Sequence, residues 1–358
     1  MLYRLILALR HFAYDKKIKK VHQASVPTVC VGNITVGGTG KTPHTEMILK
    51  ELLASDNWAY RNIAVLSRGY KRRSKGFQKV PRDGSALIYG DEPAQMAHKF
   101  PSVTVAVDRD RVEGCHILTN PELVQGKRGR RCKDKDFPKA DVIVLDDAFQ
   151  YRRLAATVNI ILVDYNRPVQ KDHLLPWGHL RDLPSRLKKA DAVILTKCPP
   201  YLDDWEKTQW RKYLSLKPEQ PLFFTTVSYT APEPVFPEAD PHFIYAQRLV
   251  LVTGIANDAP LRSHLSDSYK IIRRLEFADH HRYTRGDMGK LAGVIKEIPT
   301  ACLMTTEKDA QRMRDVKKID DKVKQRLFYV PVQATFLNPE EEAAFTGFLL
   351  ERLGAPED

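Results

Sequence analysis

Between residues 26 and 55 the chain passes from an unbroken apolar segment, Pro27-Thr28-Val29-Cys30-Val31, through a glycine-rich turn into a stretch of helical composition. The turn reads Thr35-Val36-Gly37-Gly38-Thr39-Gly40-Lys41-Thr42 and closes on Gly-Lys-Thr. Glycines let successive backbone N–H groups point inward at phosphate oxygens, and the start of the following helix adds the positive end of its dipole. In such a loop the lysine, here Lys41, reaches the β- and γ-phosphates, and the hydroxyl of Thr42 holds Mg2+. Thr35 stands where the general pattern has its first glycine. Pro43 falls in the first turn of a helix expected over 43–54, where its missing N–H costs little. A plain glycine turn is the competing reading. Strand before and helix after favour a nucleotide-binding site whose contacts are Thr35, Val36, Gly37, Gly38, Thr39, Gly40, Lys41 and Thr42.

A second apolar strand, Val142-Ile143-Val144-Leu145, closes on Asp146-Asp147. A carboxylate there orients Mg2+ or its water against the Thr42 hydroxyl, so Thr42, Asp146 and Asp147 are the expected metal residues. Similar Val/Ile/Leu runs at 63–66, 158–163 and 192–195, separated by helical segments, call for a mostly parallel sheet covered on both faces. Residues 230–241 carry Pro232, Pro234, Pro237 and Pro241 and read as a linker, after which the β/α rhythm resumes. The expected architecture is therefore α/β. A P-loop NTPase-like, mostly parallel sheet domain spans 25–229, and a second, smaller α/β domain spans 242–358. The latter ends in a helix near 339–353, whose Glu340, Glu341 and Glu342 suit a positive helix N-terminus.

The 57 basic residues outnumber the 44 acidic ones and leave a net charge of +13, which favours acidic partners: nucleic acid, anionic lipid or a phosphorylated substrate. The 5 cysteines are scattered without a CxxC, against a zinc site or a disulfide framework and in keeping with a reducing compartment. The first segment, 1–24, is apolar with Arg4 and Arg10, then basic at Lys16, Lys17, Lys19 and Lys20, and it lacks the layout of a signal peptide. It reads either as a helix packed on the protein's own surface or as an interfacial amphipathic helix. In the second case Leu2, Leu5, Ile6, Leu9 and Phe12 dip into lipid, and the lysines meet anionic headgroups. The basic stretch 126–136 reads as a surface loop.

Three further motifs are ambiguous by themselves. Gly90-Asp91-Glu92-Pro93 has turn composition. Asp279-His280-His281 follows an apolar strand, and Thr306-Glu307-Lys308-Asp309-Ala310 has the form of a capped helix start. Phosphoryl transfer to an alcohol nevertheless needs an acceptor for the hydroxyl proton, and a carboxylate, or a histidine paired with one, supplies it.

Taken in order, these motifs resemble the tetraacyldisaccharide 4′-kinase family, the lipid A 4′-kinases of Gram-negative bacteria, over nearly the whole chain. The likeness rests on Val31-Gly32-Asn33 with the loop at 35–42, on Ser67-Arg68-Gly69-Tyr70, on Gly90-Asp91-Glu92-Pro93 and on Asp146-Asp147-Ala148-Phe149-Gln150. It continues in Leu174-Leu175-Pro176, Gly178, Leu180-Arg181, Thr253-Gly254-Ile255-Ala256, Asp279-His280 and Thr306-Glu307-Lys308-Asp309-Ala310. Thr35 is then a family trait. Ala148, Trp177 and His179 depart from the family's usual Gly, Ala and Pro, and the N-terminal segment is shorter than in relatives with a full transmembrane helix.

The resemblance implies ATP- and Mg2+-dependent phosphorylation of the 4′-hydroxyl of a tetraacylated glucosamine disaccharide 1-phosphate, at the cytoplasmic face of the inner membrane. It also implies that Asp91 and His280 act as a dyad on the acceptor hydroxyl, beside Lys41 on the phosphates. Arg68, Arg72, Gln150 and Arg181 are candidates for the substrate, the arginines on charge alone. The expected partners are the lipid substrate and the membrane surface, with no nucleic acid and no obligate protein partner. Because His280 belongs to the second domain, the reaction is expected to need domain closure. Two rivals remain: a P-loop GTPase or switch protein, which would want a guanine-reading Asn/Thr-Lys-x-Asp where Thr196-Lys197-Cys198-Pro199 lacks the Asp, and a nucleic-acid-stimulated ATPase motivated by the positive charge.

Overall fold

The computed structural model describes residues 2–126 and 131–355. It begins with helix α1 (Leu2–Asp15). The larger lobe then runs through β1 (Thr28–Asn33), α2 (Lys41–Ala54), β2 (Ile63–Ser67), β3 (Gln78–Lys79), α3 (Asp91–Lys99) and β4 (Thr104–Val107). It continues with β5 (Val142–Asp146), β6 (Val158–Asp164), β7 (Ala192–Thr196) and β8 (Leu222–Tyr229). The smaller lobe holds β9 (Glu233–Pro234), β10 (Arg248–Thr253), β11 (Lys270–Glu276), α4 (Arg285–Glu297), β12 (Cys302–Thr306), α5 (Glu307–Arg314) and β13 (Leu327–Val330). The chain ends with β14 (Val332–Phe336) and α6 (Pro339–Leu353).

Nine strands form the main sheet, in the order β14-β8-β7-β6-β1-β5-β2-β4-β3. Only the two edge strands are antiparallel to their neighbours. The runs expected to be buried on both faces are so: every residue of β1, β2, β5 and β7 is buried. Alternate residues of β1 serve opposite faces. Cys30 packs on one side with Leu145 and Leu195, while Val29 and Val31 pack on the other with Ile48, Leu49 and Leu52 of α2. Strand order reverses at β1, which lies between β5 and β6. Ligands of such sheets bind outside the carboxyl ends of the strands at this switch point, and the loop at 35–42 leaves β1 there.

The smaller sheet has the order β9-β13-β12-β10-β11, parallel except for β9. Two elements depart from the expected division of the chain. The segment 230–241 is not a bare linker, because β9 within it pairs with β13. The last strand and helix do not belong to the smaller lobe. β14 pairs with β8, Tyr229 opposite Val332 and Thr225 opposite Phe336, and Phe345, Leu349 and Leu353 of α6 share a core with α2. Pro331 breaks the apolar run between β13 and β14, but a proline marks only the break and not the sheet that the next strand joins. Helix α2 begins earlier than expected, at Lys41, and Asp91, Glu92 and Pro93, whose composition reads as a turn, form the first turn of α3. Of the basic stretch 126–136, Lys127, Arg128 and Arg130 lie outside the described residues.

Candidate active site

Gly37 and Gly40 take φ values of +97° and +88°, a region that side chains with a Cβ rarely enter. Gly40 caps α2, and His44 one turn later secures it. The His44 ring is fully buried. Its Nδ1–H donates to the Gly40 carbonyl at 2.7 Å, and its Nε2 accepts from the Thr225 hydroxyl at 2.8 Å. Burial pushes this imidazole down to about 4, so it is a neutral brace. Below the loop, the Thr196 hydroxyl donates to the Thr39 carbonyl at 3.0 Å. Lys197 Nζ donates to the Gly38 carbonyl at 2.5 Å and pairs with Asp164 at 2.6 Å. The Thr-Lys pair that a guanine reader would need is thus built into the loop's support.

At the mouth of the loop the hub is Asn33, fully buried at the end of β1. Its amide nitrogen donates to the hydroxyls of Thr39 at 2.8 Å and Thr35 at 3.3 Å. Its Oδ1 accepts from Arg181 and, at 3.5 Å, from Lys41. Its backbone carbonyl accepts from Gln150 Nε2 at 2.5 Å and from Arg181 Nη2 at 3.3 Å. Arg181 also forks onto Asp147, which lies 4.0 Å from Lys41. Burial pushes the Asp147 carboxyl up, but Lys41 and Arg181 outweigh it and hold the group below the usual carboxylate range. Burial pulls Lys41 down against the opposing charge of Asp147. Asp146 is different. Its Oδ2 accepts from Ser67 Oγ at 2.9 Å, and burial, reinforced by Asp147, pushes it up to about 6. Hard oxygen donors at a strand end beside a loop threonine suit Mg2+, which uses one or two protein carboxylates and keeps several waters.

The second cluster joins the lobes. Asp91 opens α3 on the larger lobe, and His280 follows β11 on the smaller one. Asp91 Oδ2 lies 3.3 Å from His280 Nδ1, already within reach of each other. His280 sits at φ +61°, with its amide donating to the Gly254 carbonyl at 3.1 Å; a non-glycine residue held there is strained backbone of the kind found at functional sites. A Cβ on Gly254 would lie 3.0 Å from an Asp309 oxygen, which accounts for the glycine in Thr253-Gly254-Ile255-Ala256. Arg312, on α5, donates to the same Asp91 oxygen from Nε at 2.9 Å and from Nη2 at 2.6 Å, and Nη2 lies 3.2 Å from His280 Nδ1. Nη1 of Arg312 is tied to Asp309 at 2.9 Å and to the Gly254 carbonyl at 3.0 Å. All three of these contacts to Asp91 fall on Oδ2. Burial pushes Asp91 up, yet His280 and Arg312 prevail and hold it below the usual range.

The two clusters meet through residues 67–70. Ser67 bonds Asp146, Gly69 packs on Gly90, and the Tyr70 ring lies 6.0 Å from that of His280. Arg68 is exposed beside them. Arg72 spends its guanidinium on the carbonyls of Val107 at 3.2 Å and Gly76 at 2.7 Å, so it holds its own loop together. His44 and Arg312 were not singled out from the sequence, and Asn33 entered only as part of the motif Val31-Gly32-Asn33, without a role. A polar residue ending an apolar strand and an Asp309–Arg312 pair at helical spacing were the signals available.

A loop at the switch point of a parallel sheet, opening beside a carboxylate–imidazole pair lent partly by a second lobe, is the layout of a P-loop kinase. A family model described as tetraacyldisaccharide-1-P 4′-kinase matches residues 1–353, and the chain belongs to that family. It is 39% identical over 346 residues to the tetraacyldisaccharide 4′-kinase of Phocaeicola vulgatus, covering 93% of this chain and 88% of that protein. It is 36% identical over 348 residues to the enzyme of the same name from Parabacteroides distasonis, covering 95% and 89%. The fold is similar to that of the crystal structure of LpxK from Aquifex aeolicus in complex with ATP, with a TM-score of 0.71 and 26% identity over 99% of this chain and 96% of that one.

Proposed function

We propose that the protein transfers the γ-phosphate of ATP to the 4′-hydroxyl of a tetraacyldisaccharide 1-phosphate, and that Asp91 and His280 handle the acceptor proton. The observation that carries this reading is the 3.3 Å approach of His280 Nδ1 to Asp91 Oδ2 across the two lobes, next to the segment that also holds Asp146. In the reaction the backbone amides of 37–40 and Lys41 hold the β- and γ-phosphates. The 4′-oxygen bonds to the γ-phosphorus as the bond to the bridging oxygen breaks, ADP leaves, and the hydroxyl proton passes to the Asp91–His280 pair, which titrates as a unit. Mg2+, when bound, offsets the charge gathering on the phosphates. Thr42 would hold it with Asp146, since Asp147 is already engaged by Lys41 and Arg181. Arg68, exposed beside the two clusters, is the candidate for the substrate phosphate in this reading, whereas Arg72, Arg181 and Gln150 spend their side chains on the fold around the site.

Membrane contact belongs to the same proposal. Leu2, Leu5, Ile6, Leu9 and Phe12 are exposed along one face of α1, and Lys16, Lys17, Lys19 and Lys20 follow it. Among the described residues no helix is long and apolar enough to cross a membrane. An apolar helix face with basic residues behind it suits the surface of an anionic bilayer, here the cytoplasmic face of the inner membrane.

The test is transfer of labelled γ-phosphate from ATP to tetraacyldisaccharide 1-phosphate by the unaltered protein and by Lys41→Ala, Asp91→Ala and His280→Ala. Loss of the proton acceptor should lower kcat by about 10²–10⁴-fold. Near-normal turnover of Asp91→Ala would remove that residue from the chemistry, and no transfer by the unaltered protein would end the proposal.

A further inference from the structure

The inner face of α1 does more than anchor the helix. Leu7, His11 and Tyr14 are buried against the larger lobe. His11 Nε2 meets Asp182 Oδ1 at 2.6 Å, and Arg152 Nη1 lies 3.1 Å from His11 Nδ1. Because the arginine donates, Nδ1 is the acceptor and Nε2 carries the proton given to Asp182. Two other side chains of α1 reach further. The Tyr3 hydroxyl donates to the backbone carbonyl of Arg181 at 3.0 Å, and Arg10 Nη2 donates to the backbone carbonyl of Gln150 at 2.7 Å. These are the two residues whose side chains converge on the carbonyl of Asn33, at 3.3 Å and 2.5 Å. Arg181 goes on to grip Asp147, and Asn33 holds Thr39 and Lys41. Backbone from the other side is pinned too, since the amides of Arg181 and Asp182 both donate to the Ile34 carbonyl, at 2.9 Å and 3.2 Å.

We infer that α1 is a positioning element of the active site, in which Tyr3 and Arg10 fix the backbones of Arg181 and Gln150 and so set Asn33, Asp147 and the mouth of the phosphate loop. The inference rests on the kinase reading and adds a regulation to it. The face of α1 opposite this grip is the exposed apolar one. A helix that lies in an anionic lipid surface with that face loses its freedom to rock, so the grip on residues 150 and 181 tightens where the lipid substrate is. Phosphate-loop chemistry is mostly positioning, and an error of about 1 Å costs on the order of 10²-fold in rate. One hydrogen bond at each of two carbonyls is therefore enough to show in kcat.

The experiment compares the full chain with Tyr3→Phe, Arg10→Gln, their combination and Arg10→Lys. The substrate is tetraacyldisaccharide 1-phosphate, dispersed in neutral detergent or carried in phosphatidylglycerol-containing vesicles. In detergent the double variant should lose about 10-fold in kcat with the KM for ATP nearly unchanged, and Arg10→Lys should recover most of the Arg10→Gln loss. The pair Leu5→Gln and Leu9→Gln, which leaves the grip intact, should instead keep its kcat in detergent and lose co-sedimentation with vesicles. Amide hydrogen exchange at 147–151 and 181–183 should quicken in the double variant alone. A double variant with the kcat of the unaltered protein in both media would overturn the inference. Failure of the unaltered protein to phosphorylate the disaccharide strikes the kinase reading instead, and the exchange measurement still tests the grip.

Discussion

Arg312 joins the two halves of the proposed reaction centre more directly than any residue the sequence brought forward. Its guanidinium is fixed by Asp309 and the Gly254 carbonyl behind, and it presents two N–H groups to Asp91 in front. It keeps Asp91 ionised while His280 takes its place on the same oxygen. The neighbouring charges are those of Lys308 and Glu92, paired at 2.7 Å, and of Asp309. Arg312→Ala should lower kcat by about 10-fold or more, leave the KM for ATP nearly unchanged, and move the acid limb of kcat/KM upward in pH. The sign follows from linkage: against burial, His280 and the native arginine together hold Asp91 below the usual carboxylate range, so without the arginine's share the carboxylate is lost at a higher pH. An acid limb that stays in place in Arg312→Ala would sink this role. Sequence reading reached Asp91 and His280 only through family likeness, since Gly-Asp-x-Pro reads as a turn. Arg312 was out of reach because its partner lies 221 positions away.

The same limit holds for whole elements. Thr306-Glu307-Lys308-Asp309 reads correctly as a capped helix start, and Thr306 Oγ1 does accept from the Asp309 amide at 3.1 Å. What α5 packs against could not be read from the segment, because a helix start specifies its own turn and nothing beyond. In the fold α5 lies on α3, and a buried cluster forms where both meet α2: Lys99 Nζ stands 2.6 Å from Glu46 and 3.3 Å from Glu307. One ammonium thus serves two buried carboxylates. Burial, reinforced by Glu46, pushes Glu307 up to about 7, with Lys99 opposing. The folded protein therefore binds a proton here that the unfolded chain releases in the ordinary glutamate range. A carboxyl raised in this way favours folding at low pH and loses that contribution as pH climbs from about 4.5 to about 7. Glu307→Gln removes the titration and leaves the Lys99–Glu46 pair in place. Its melting temperature should match that of the unaltered protein near pH 5 and exceed it near pH 8. Equal melting curves at both values would show that the cluster holds no extra proton.

At the scale of the molecule, the smaller lobe is an insertion between two adjacent strands rather than a domain at the end of the chain. β8 and β14 are antiparallel partners, Tyr229 opposite Val332, and the Thr230 amide donates to the Pro331 carbonyl at 3.2 Å. Both connections to the smaller lobe therefore leave the larger sheet side by side, at its edge. The parallel core was legible because runs buried on both faces are apolar throughout. The return of the chain was not, since sheet membership of an edge strand is decided by a partner more than a hundred positions away. This topology has a direct consequence. A chain in which 231–330 is replaced by a short glycine-serine turn retains every strand of the nine-stranded sheet, α6 with its Phe345, Leu349 and Leu353 core, and the complete phosphate loop with its His44 and Lys197 braces. It should fold cooperatively, as read by circular dichroism, and bind ATP within about 10-fold of the intact affinity. It should transfer no phosphate, because His280 and Arg312 leave with the insertion. Removing 332–355 instead strips the sheet of β14 and exposes the α2 face that α6 covers, so that chain should unfold. If the insertion-free chain proves unfolded while the C-terminal truncation folds and binds ATP, the larger lobe is not the self-sufficient body that its strand order describes.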